Sequence, residues 1–520
     1  MISRKTPAAI RAGLFTLILC WIVGWKTGYP VPRVHDEFCY LLQADTFLHG
    51  RLTNPTPAFW PSFETFHVTF TPTYTSKYQP GQGLLLAMGK ILFGHEIWGV
   101  WLACASAALA TTWALSKEFS ESWSLFGGSL AGLIMVISYW SISYWGGALA
   151  AFGGALVLGS ALSLLKGDFG SKSAASLSIG VGVLGLTRPF EGGVEVAAVS
   201  FYFLGWRRDL LKLLFLRRNK DSLFLFALTG PALGATVFQL FYNRAVTGSF
   251  WILPYFSDPH DHVPAFLFQT LEPFHAFQLP EFNWYYREFQ EGMYRSHKTW
   301  VGFLEKTRYT LFPIFVNLPE IILFAGISAI AWWRKHAVLN WFLAICFMSL
   351  LSTLLLSTHG QPHYIAPFFP VIVLFWTRSV RALSNLLPPK NTRWAPWIIA
   401  ATVGAMLIPR VESFFGLFPF KSPRNEITQV VMRTGGTKHL ILVDYGDHYK
   451  TLYGWIYNAA DIDSSSVIWA RFREKEQNER LLEHYQNRKT WLLKFEGCLI
   501  QLIPLNSGIP GKPILKGSSC

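Results

Sequence analysis

The chain has 520 residues, of which 51% are hydrophobic and only 15% are charged, whereas soluble globular proteins carry about 25% charged residues. The mean hydropathy of +0.29 is too low for a chain that lies in a membrane from end to end. This composition excludes disorder, collagen and a disulfide scaffold, and it predicts membrane spans combined with a sizeable water-facing portion. The six cysteines have no metal-ligand spacing.

The formal net charge of +14 is concentrated between the apolar runs. Basic residues precede the first run and cluster in connections at 207–220, 334–335 and 378–393. The positive-inside rule places short loops of this kind in the cytoplasm. The charge is therefore explained without nucleic acid, and we expect no nucleic-acid partner.

Eleven apolar runs are candidates for membrane-spanning helices, each of which needs about 20 residues. They cover 10–29, 97–115, 122–140, 145–165, 173–188, 191–206, 223–242, 311–333, 338–357, 364–381 and 394–411. The pair between 173 and 206 is either two spans or one interrupted segment. With the N-terminus inside, eleven crossings place the segments 30–95 and 243–310 and the C-terminal tail outside the cytoplasm.

The composition changes to a polar, charged tail after residue 412. The runs ILVDY (441–445), SVIWARF (466–472) and TWLLKFE (490–496) are typical of short buried strands. The segment 474–488 between the last two has helical spacing of its apolar residues. We therefore expect a transmembrane domain over 1–412 and a small α/β domain over 413–520.

The first long loop begins with ionisable residues. In DEFCYLLQADTFLHG (36–50), the apolar spacing suits a helix that lies in the membrane interface, on which Asp36 and Tyr40 share a face. Acidic residues at the mouth of a membrane protein are costly unless they are hydrated or paired, so Asp36 and Glu37 are functional candidates. A charge pair that faces water at a helix N-terminus is the alternative.

Lys77 lies in the same loop, just before a Pro-Gly break and an apolar helix. A lysine at a helix N-terminus can bind an anionic phosphate group together with free backbone amides. The alternative is an interfacial lysine whose amino group reaches toward water.

Further candidates lie in the first loop and in polar islands at the outer ends of the spans. They are Glu64, His67, Tyr78, Tyr144, Trp145, Arg188, Glu191, Asn243, His359, His363 and Tyr364. An ion pair between Arg188 and Glu191 is the simplest structural explanation for those two. His359 and His363 are four residues apart, but without a third ligand a metal site there is the weaker interpretation.

The order of these islands resembles the GT-C superfamily of polyprenyl-phosphate-dependent membrane glycosyltransferases. The resemblance rests on the DE pair at 36–37, Tyr40, the GRL turn at 50–52, the K-Y-x-P-G-x-G element at 77–83 and the H-Y-x-x-P-x-x-P span at 363–370. The pattern is most similar to the RgtA/B/C/D-like domain, and more distantly to protein O-mannosyltransferases and the lipid A aminoarabinose transferase. It covers about residues 1–412.

The resemblance implies a hexosyl or pentosyl transferase of a bacterial-type inner membrane. Its partners would be membrane lipid, a polyprenyl-phosphate sugar donor and an extracytoplasmic acceptor. Asp36 would be the general base or acceptor-orienting carboxylate with Glu37 as its support, and Lys77 would meet the donor phosphate. His363 stands where the family usually has a cation, which leaves Arg188 as a substitute. The remaining candidates would bind substrate; they are Tyr40, Glu64, His67, Tyr78, Tyr144, Trp145, Glu191, Asn243, His359 and Tyr364.

Two other functions stay open at this stage. A transporter or flippase of lipid-linked saccharides predicts ionisable residues buried in mid-span and inverted repeats, and an assembly protein that binds partners through its tail would make the first loop dispensable. The need for a divalent cation is also open. Because adjacent carboxylates on a helix point in different directions, Asp36 and Glu37 would rarely bind one ion together, and no metal ligand is assigned.

Overall fold

The computed structural model describes residues 7–520 with gaps at 169, 211–221, 259, 261, 272–276, 317–336, 385–421, 436–437, 447–449, 451, 453, 497–498, 506–511 and 517–520. The helices are α1 (Ala8–Thr27), α2 (His35–Leu48), α3 (Trp60–Phe63), α4 (Pro80–Phe93), α5 (Ile97–Leu115), α6 (Glu121–Val136), α7 (Gly147–Leu165), α8 (Ser171–Thr187), α9 (Pro189–Trp206), α10 (Ser222–Thr247), α11 (Pro280–Phe282), α12 (Gly292–His297), α13 (Trp300–Val316), α14 (Ala337–Leu356), α15 (Phe369–Ser384), α16 (Pro423–Arg433) and α17 (Lys475–His484). Short 3₁₀ segments cover Pro254–Ser257 and Pro362–Phe368, and a π-helix covers Asn283–Glu291. The strands are β1 (Val68–Thr69), β2 (Thr75–Ser76), β3 (His439–Asp444), β4 (Val467–Arg471), β5 (Lys489–Glu496), β6 (Leu499–Pro504) and β7 (Lys512–Lys516).

Six helices in the described part of the chain are long and apolar enough to cross a membrane. They are Ala8–Thr27, Ile97–Leu115, Gly147–Leu165, Ser222–Thr247, Leu339–Leu356 and His363–Ala382. Nine of the predicted spans coincide with helices. Most of the predicted span 311–333 and all of 394–411 lie outside the described residues, so the count of eleven stays a prediction. The pair at 173–206 forms two helices that meet at Arg188.

The bundle has two chemically different ends. At one end, Arg11 of α1 pairs with Glu121 of α6, and Lys166 Nζ lies 3.3 Å from Glu118 Oε1. The guanidinium of Arg381 lies over the ring of Phe119 at this same end. These are the ends predicted to be basic and cytoplasmic. The first long loop, the N-terminus of α9 and the C-terminal sheet all lie at the opposite end.

Helix α2 is present where the sequence predicts it, but its surroundings differ from the prediction. Tyr40 packs with the transmembrane core, whereas Phe38 and Leu42 pack with residues of the C-terminal sheet. All three side chains are buried within the protein. The structure does not test the expectation that α2 lies at the depth of the membrane interface, but its apolar face is not left free for lipid. A protein surface, contributed by a segment some 400 residues further along the chain, covers the apolar face instead of lipid.

The three strands predicted in the tail are present and pair in a five-stranded sheet of order β4-β3-β5-β6-β7. Strand β3 is parallel to β4 and β5, and the later strands are antiparallel. Because side chains alternate along a strand, Leu440 and Leu442 face the first loop and α17, while Ile441 and Val443 face α16. Both faces of the sheet are thus buried.

A glycine sets the position of the 3₁₀ segment Pro362–Phe368. This segment packs against α7, and a Cβ atom at Gly154 would overlap the carbonyl oxygen of Pro367. Small residues allow this kind of close approach between backbones in membrane bundles. The segment that carries His363 and Tyr364 is therefore placed by Gly154.

Candidate active site

Asp36 lies at the N-terminus of α2, bound by a tyrosine from the end of the first loop. The Tyr78 hydroxyl donates to Asp36 Oδ1, and the Tyr78 ring stacks on Tyr40 with centroids 4.7 Å apart. Gln43 fixes Tyr78 from the same helix, since its Nε2 donates to the Tyr78 carbonyl at 2.9 Å. The predicted shared face of Asp36 and Tyr40 is confirmed, and Tyr78 bridges the two.

Glu37 is bound on all sides by backbone amides. Its Oε2 accepts from the backbone N–H of Arg33 at 2.9 Å and of Val34 at 3.3 Å, and its Oε1 accepts from that of Tyr144 at 3.3 Å. Burial raises the pKa of Glu37 to about 7, although these hydrogen bonds oppose the rise. The Tyr144 hydroxyl donates to the Pro30 carbonyl at 2.7 Å. Glu37 and Tyr144 therefore hold α2 against the bundle.

Two buried histidines lie beside Asp36. His35 Nδ1 is 3.7 Å from Asp36 Oδ2, and the rings of His35 and His67 are 4.9 Å apart. His67 has a positive φ of 62°, and its Nε2 lies 3.1 Å from the Tyr285 hydroxyl. Burial lowers the pKa of both imidazoles, and the charge of Lys77 lowers both further. The site therefore holds two neutral imidazoles next to one carboxylate.

Lys77 begins a chain of alternating charges that leads away from the site. Its Nζ lies 3.7 Å from Asp258 Oδ2, and both side chains are buried. His260 Nδ1 lies 3.0 Å from Asp258 Oδ1, and its Nε2 lies 3.1 Å from Glu64 Oε1. Burial alone would lower the pKa of His260, but the bonds to both carboxylates outweigh it and raise the pKa to about 9. Lys77 is 2% exposed, so the alternative of a lysine reaching toward water is wrong.

The C-terminal sheet closes this chain from outside. Arg471 of β4 donates from Nη2 to the Glu64 carbonyl at 2.7 Å and pairs with Glu281 of α11. Burial raises the pKa of Asp258, but its bond with His260 and the charge of Lys77 outweigh burial and lower the pKa. The predicted substrate residue Glu64 is thus an internal link between the two long loops and the sheet.

A second cation, Arg188, lies in an aromatic wall. Its Nη1 is 3.1 Å from Glu191 Oε1, which confirms the expected ion pair, and its guanidinium lies 5.4 Å from the Tyr364 ring centroid. His363 packs edge to face on Trp145 with centroids 5.0 Å apart. The predicted residues Arg188, Glu191, Tyr364, His363 and Trp145 are thus brought together.

The remaining two candidates lie apart from this wall. Asn243 Nδ2 donates to the Phe250 carbonyl at 2.9 Å, and its Oδ1 accepts from Gln239 at 2.7 Å, so its side chain holds the turn after α10. His359 is near enough to His67 for its charge to lower the pKa of His67. Among the described residues, the convergent group of potential metal ligands does not include the pair His359 and His363.

Sequence reasoning did not select several residues that contact the candidates. Asp258 and His260 belong to the run DPHDHV at 258–263, whose density of acidic residues and histidines was an available signal. His35 precedes the DE pair directly. Tyr285 and Arg471 carry no local signal, because their contacts join distant parts of the chain.

The fold resembles two solved membrane transferases. The crystal structure of ArnT from Cupriavidus metallidurans in the apo state has a TM-score of 0.52 and 14% identity over 92% of each chain. The structure of the Archaeoglobus fulgidus oligosaccharyltransferase in complex with Zn and sulfate has a TM-score of 0.50 and 14% identity. That match covers 86% of the present chain but only 57% of the archaeal protein. Comparisons with protein-family models and with curated protein sequences give no match.

These similarities establish the fold only, because sequence identities of 14% do not establish a shared activity. The chain is a polytopic helical membrane protein that shares the fold of these two transferases. The resemblance that the sequence motifs indicated is confirmed at this level.

Proposed function

We propose that this protein is a membrane glycosyltransferase that moves a sugar from a polyprenyl-phosphate-linked donor to an extracytoplasmic glycan, lipid or protein. The observation that carries the proposal is the position of Asp36. Its carboxylate lies at the end of the bundle opposite the basic end, bound by Tyr78, whose ring in turn lies 5.9 Å from the Lys77 amino group. The fold that the chain shares with two solved transferases supports the same class of reaction.

The proposed reaction needs one proton acceptor and a means of stabilising the leaving phosphate. A hydroxyl or amine of the acceptor forms a bond to the anomeric carbon, and the bond between that carbon and the phosphate oxygen breaks. Asp36 takes the acceptor proton or orients the acceptor, and the electron pair leaves with the polyprenyl phosphate. General-base catalysis of this kind contributes about 10²–10⁴ in rate.

Two cations are placed to stabilise the departing phosphate. Lys77 is held by Asp258 at 3.7 Å, and Arg188 is held by Glu191 at 3.1 Å. Each cation is thus held by a carboxylate in a buried setting, where preorganised charges act most strongly. The charges of both Arg188 and Asp36 act on Tyr40, and the donor sugar would bind between these two side chains. His363 and Tyr364 would form its aromatic wall.

The proposal includes an orientation in the membrane. The basic end, with Arg11, Lys166 and Arg381, would face the cytoplasm, and the end with Asp36 and the C-terminal sheet would face outward across a bacterial-type inner membrane. Eleven spans, an odd number, would put the N-terminus and the C-terminal sheet on opposite sides of the membrane. A cysteine introduced at exposed Asp168 should then react with membrane-impermeant reagents only from the cytoplasmic side.

The test is single-turnover transfer from a panel of radiolabelled undecaprenyl-phosphate sugars by membranes that contain the wild type or Asp36→Asn. Consumption of one donor that is lost in Asp36→Asn is the expected result. The matched control is Asp168→Asn, an exposed residue in the connection between α7 and α8 at the opposite end, which should keep full activity. Wild-type activity in Asp36→Asn, with equal expression, would sink the proposal.

One observation favours transport as a second candidate. Glu195 lies inside α9, is 1% exposed, and its Oε2 has no hydrogen-bond partner among the described residues. An ionisable residue buried in a span is a feature of transporters. A fluorescent lipid-linked saccharide in proteoliposomes distinguishes the two: flipping that Glu195→Gln abolishes and Asp36→Asn leaves intact would favour transport.

A further inference from the structure

Three ring nitrogens beside Asp36 are buried without hydrogen-bond partners. Both nitrogens of His35 and Nδ1 of His67 have none within the described part of the chain, and each residue is 4% exposed. An unsatisfied buried polar group costs about 1–3 kcal/mol. Native proteins satisfy nearly all such groups, and three nitrogens beside one carboxylate are available to bind a ligand.

The same nitrogens converge with a carboxylate. One ligand atom each of His35, Asp36 and His67 lies within 4.8 Å of the other two. Bonds of about 2.0–2.2 Å from nitrogen or carboxylate oxygen to a tetrahedral Zn²⁺ put the ligand atoms about 3.3 Å apart. Small side-chain rotations close that difference. Among the described residues this is the one such group of three.

The surroundings orient the three ligands. The Nε2 of His67 is taken by the Tyr285 hydroxyl at 3.1 Å, which leaves Nδ1 for an ion, and Oδ1 of Asp36 is taken by Tyr78, which leaves Oδ2. Outer partners of this kind fix the tautomer and ring orientation of metal ligands. The left-handed backbone of His67 is held by its carbonyl, which accepts from the Lys77 amide at 3.1 Å.

We propose that His35, Asp36 and His67 bind a divalent transition-metal ion, with Zn²⁺ the best match. Two imidazoles and one carboxylate form the three-ligand set typical of zinc sites that keep a fourth position open. Magnesium and calcium prefer oxygen ligands and fit this set poorly. This site differs from the two metal sites that the sequence suggested. Those were the adjacent carboxylates Asp36 and Glu37, and the pair His359 and His363.

The consequence for transfer rests on the proposed function. With the ion bound, Asp36 acts in the second of its two roles and orients the acceptor through the metal. An acceptor hydroxyl bound to the ion would lose its proton to water more readily, because the ion would stabilise the resulting oxyanion. Binding of the ion can be measured without a sugar donor or a sugar acceptor. The metal site and the glycosyltransferase function can therefore fail separately.

The test uses the full chain purified in detergent, stripped with a chelator and titrated with Co²⁺. We expect one equivalent to bind with the visible absorption of a tetrahedral ion and to be displaced by Zn²⁺ but not by Mg²⁺. His35→Gln, Asp36→Asn and His67→Gln keep side-chain volume and should each weaken binding at least tenfold.

The matched control is His49→Gln. His49 directly follows the same helix, with Nδ1 3.5 Å from Asp45 Oδ1. It is not one of the three convergent ligands, so its replacement should not change metal binding. Absence of the tetrahedral spectrum in the wild type, or equal affinity in all five proteins, overturns the metal site. Chelator-resistant transfer that Asp36→Asn abolishes also overturns it while keeping the proposed function, and ion binding without transfer does the reverse.

Discussion

The ring of Phe38 in α2 stacks on the ring of Tyr457, with centroids 4.7 Å apart and an interplanar angle of 12°. The Tyr457 hydroxyl also donates to the Phe66 carbonyl at 3.0 Å. The Asp45 carboxylate of α2 accepts from the backbone N–H of Ala460 at 2.7 Å. The helix that carries Asp36 and the segment before β4 are therefore one packed unit.

Tyr457→Ala should destabilise this unit and lower transfer with it. Removing a buried aromatic ring costs about 3–5 kcal/mol of unfolding free energy, and α2 loses the surface that holds it. Tyr457→Phe keeps the ring and loses one hydrogen bond, worth about 1 kcal/mol. Thermal unfolding in detergent should rank wild type, phenylalanine and alanine in that order. Equal midpoints for wild type and Tyr457→Ala would show that the contact contributes nothing.

Tyr78→Phe should slow transfer without unfolding the protein. The change removes the hydroxyl that donates to Asp36 but keeps the ring stacked on Tyr40. A hydrogen bond to a charged group is worth about 1.5–3 kcal/mol, so turnover should fall roughly 10- to 100-fold. Tyr485→Phe, which removes a hydroxyl that donates to Asp463 in the C-terminal domain, is the control. An equal loss in both variants would mean that the bond to Asp36 is not the cause.

Replacing Lys77 alone, and then Lys77 together with Asp258, should separate the effect on stability from the effect on activity. Lys77→Met removes one of the two cationic partners of the buried Asp258, since His260 stays, and breaking a buried ion pair costs about 3–5 kcal/mol. The double variant Lys77→Met/Asp258→Asn removes both charges and should recover most of that stability. It should stay inactive, because the cation proposed to bind the donor phosphate is gone. Recovery of transfer in the double variant would contradict the proposed role of Lys77.

The paired imidazole of His260 should make stability depend on pH. Its folded pKa of about 9 lies above the ordinary value of 6.5, so its contribution is fully present below pH 6.5 and is lost as the pH rises through 9. The shift corresponds to about 3 kcal/mol at most. The difference in unfolding free energy between wild type and His260→Gln should therefore shrink from pH 6.5 to pH 9.5. A difference that is constant over this range would rule the linkage out.

The sequence predicts those parts of the site that lie on one local element. Asp36 and Tyr40 are one helical turn apart, and Lys77 and Tyr78 are adjacent, so spacing and motif are enough to select them. The partner Asp258 is 181 positions from Lys77, and no periodicity connects the two. The surface that covers α2 could not be predicted for the same reason. An apolar helix face indicates that it is covered, but it does not identify the lipid or protein surface that covers it.

Gly154 and Pro367 meet where α7 supports the 3₁₀ segment that carries His363 and Tyr364. The placement of this aromatic wall relative to Arg188 thus depends on a residue with no side chain. A larger residue at 154 would meet the Pro367 carbonyl and the Glu195 carboxylate, so it should displace the wall and alter the size of sugar that fits. A laboratory selection for donors of a different size should therefore return changes at position 154, which no search for reactive groups would single out.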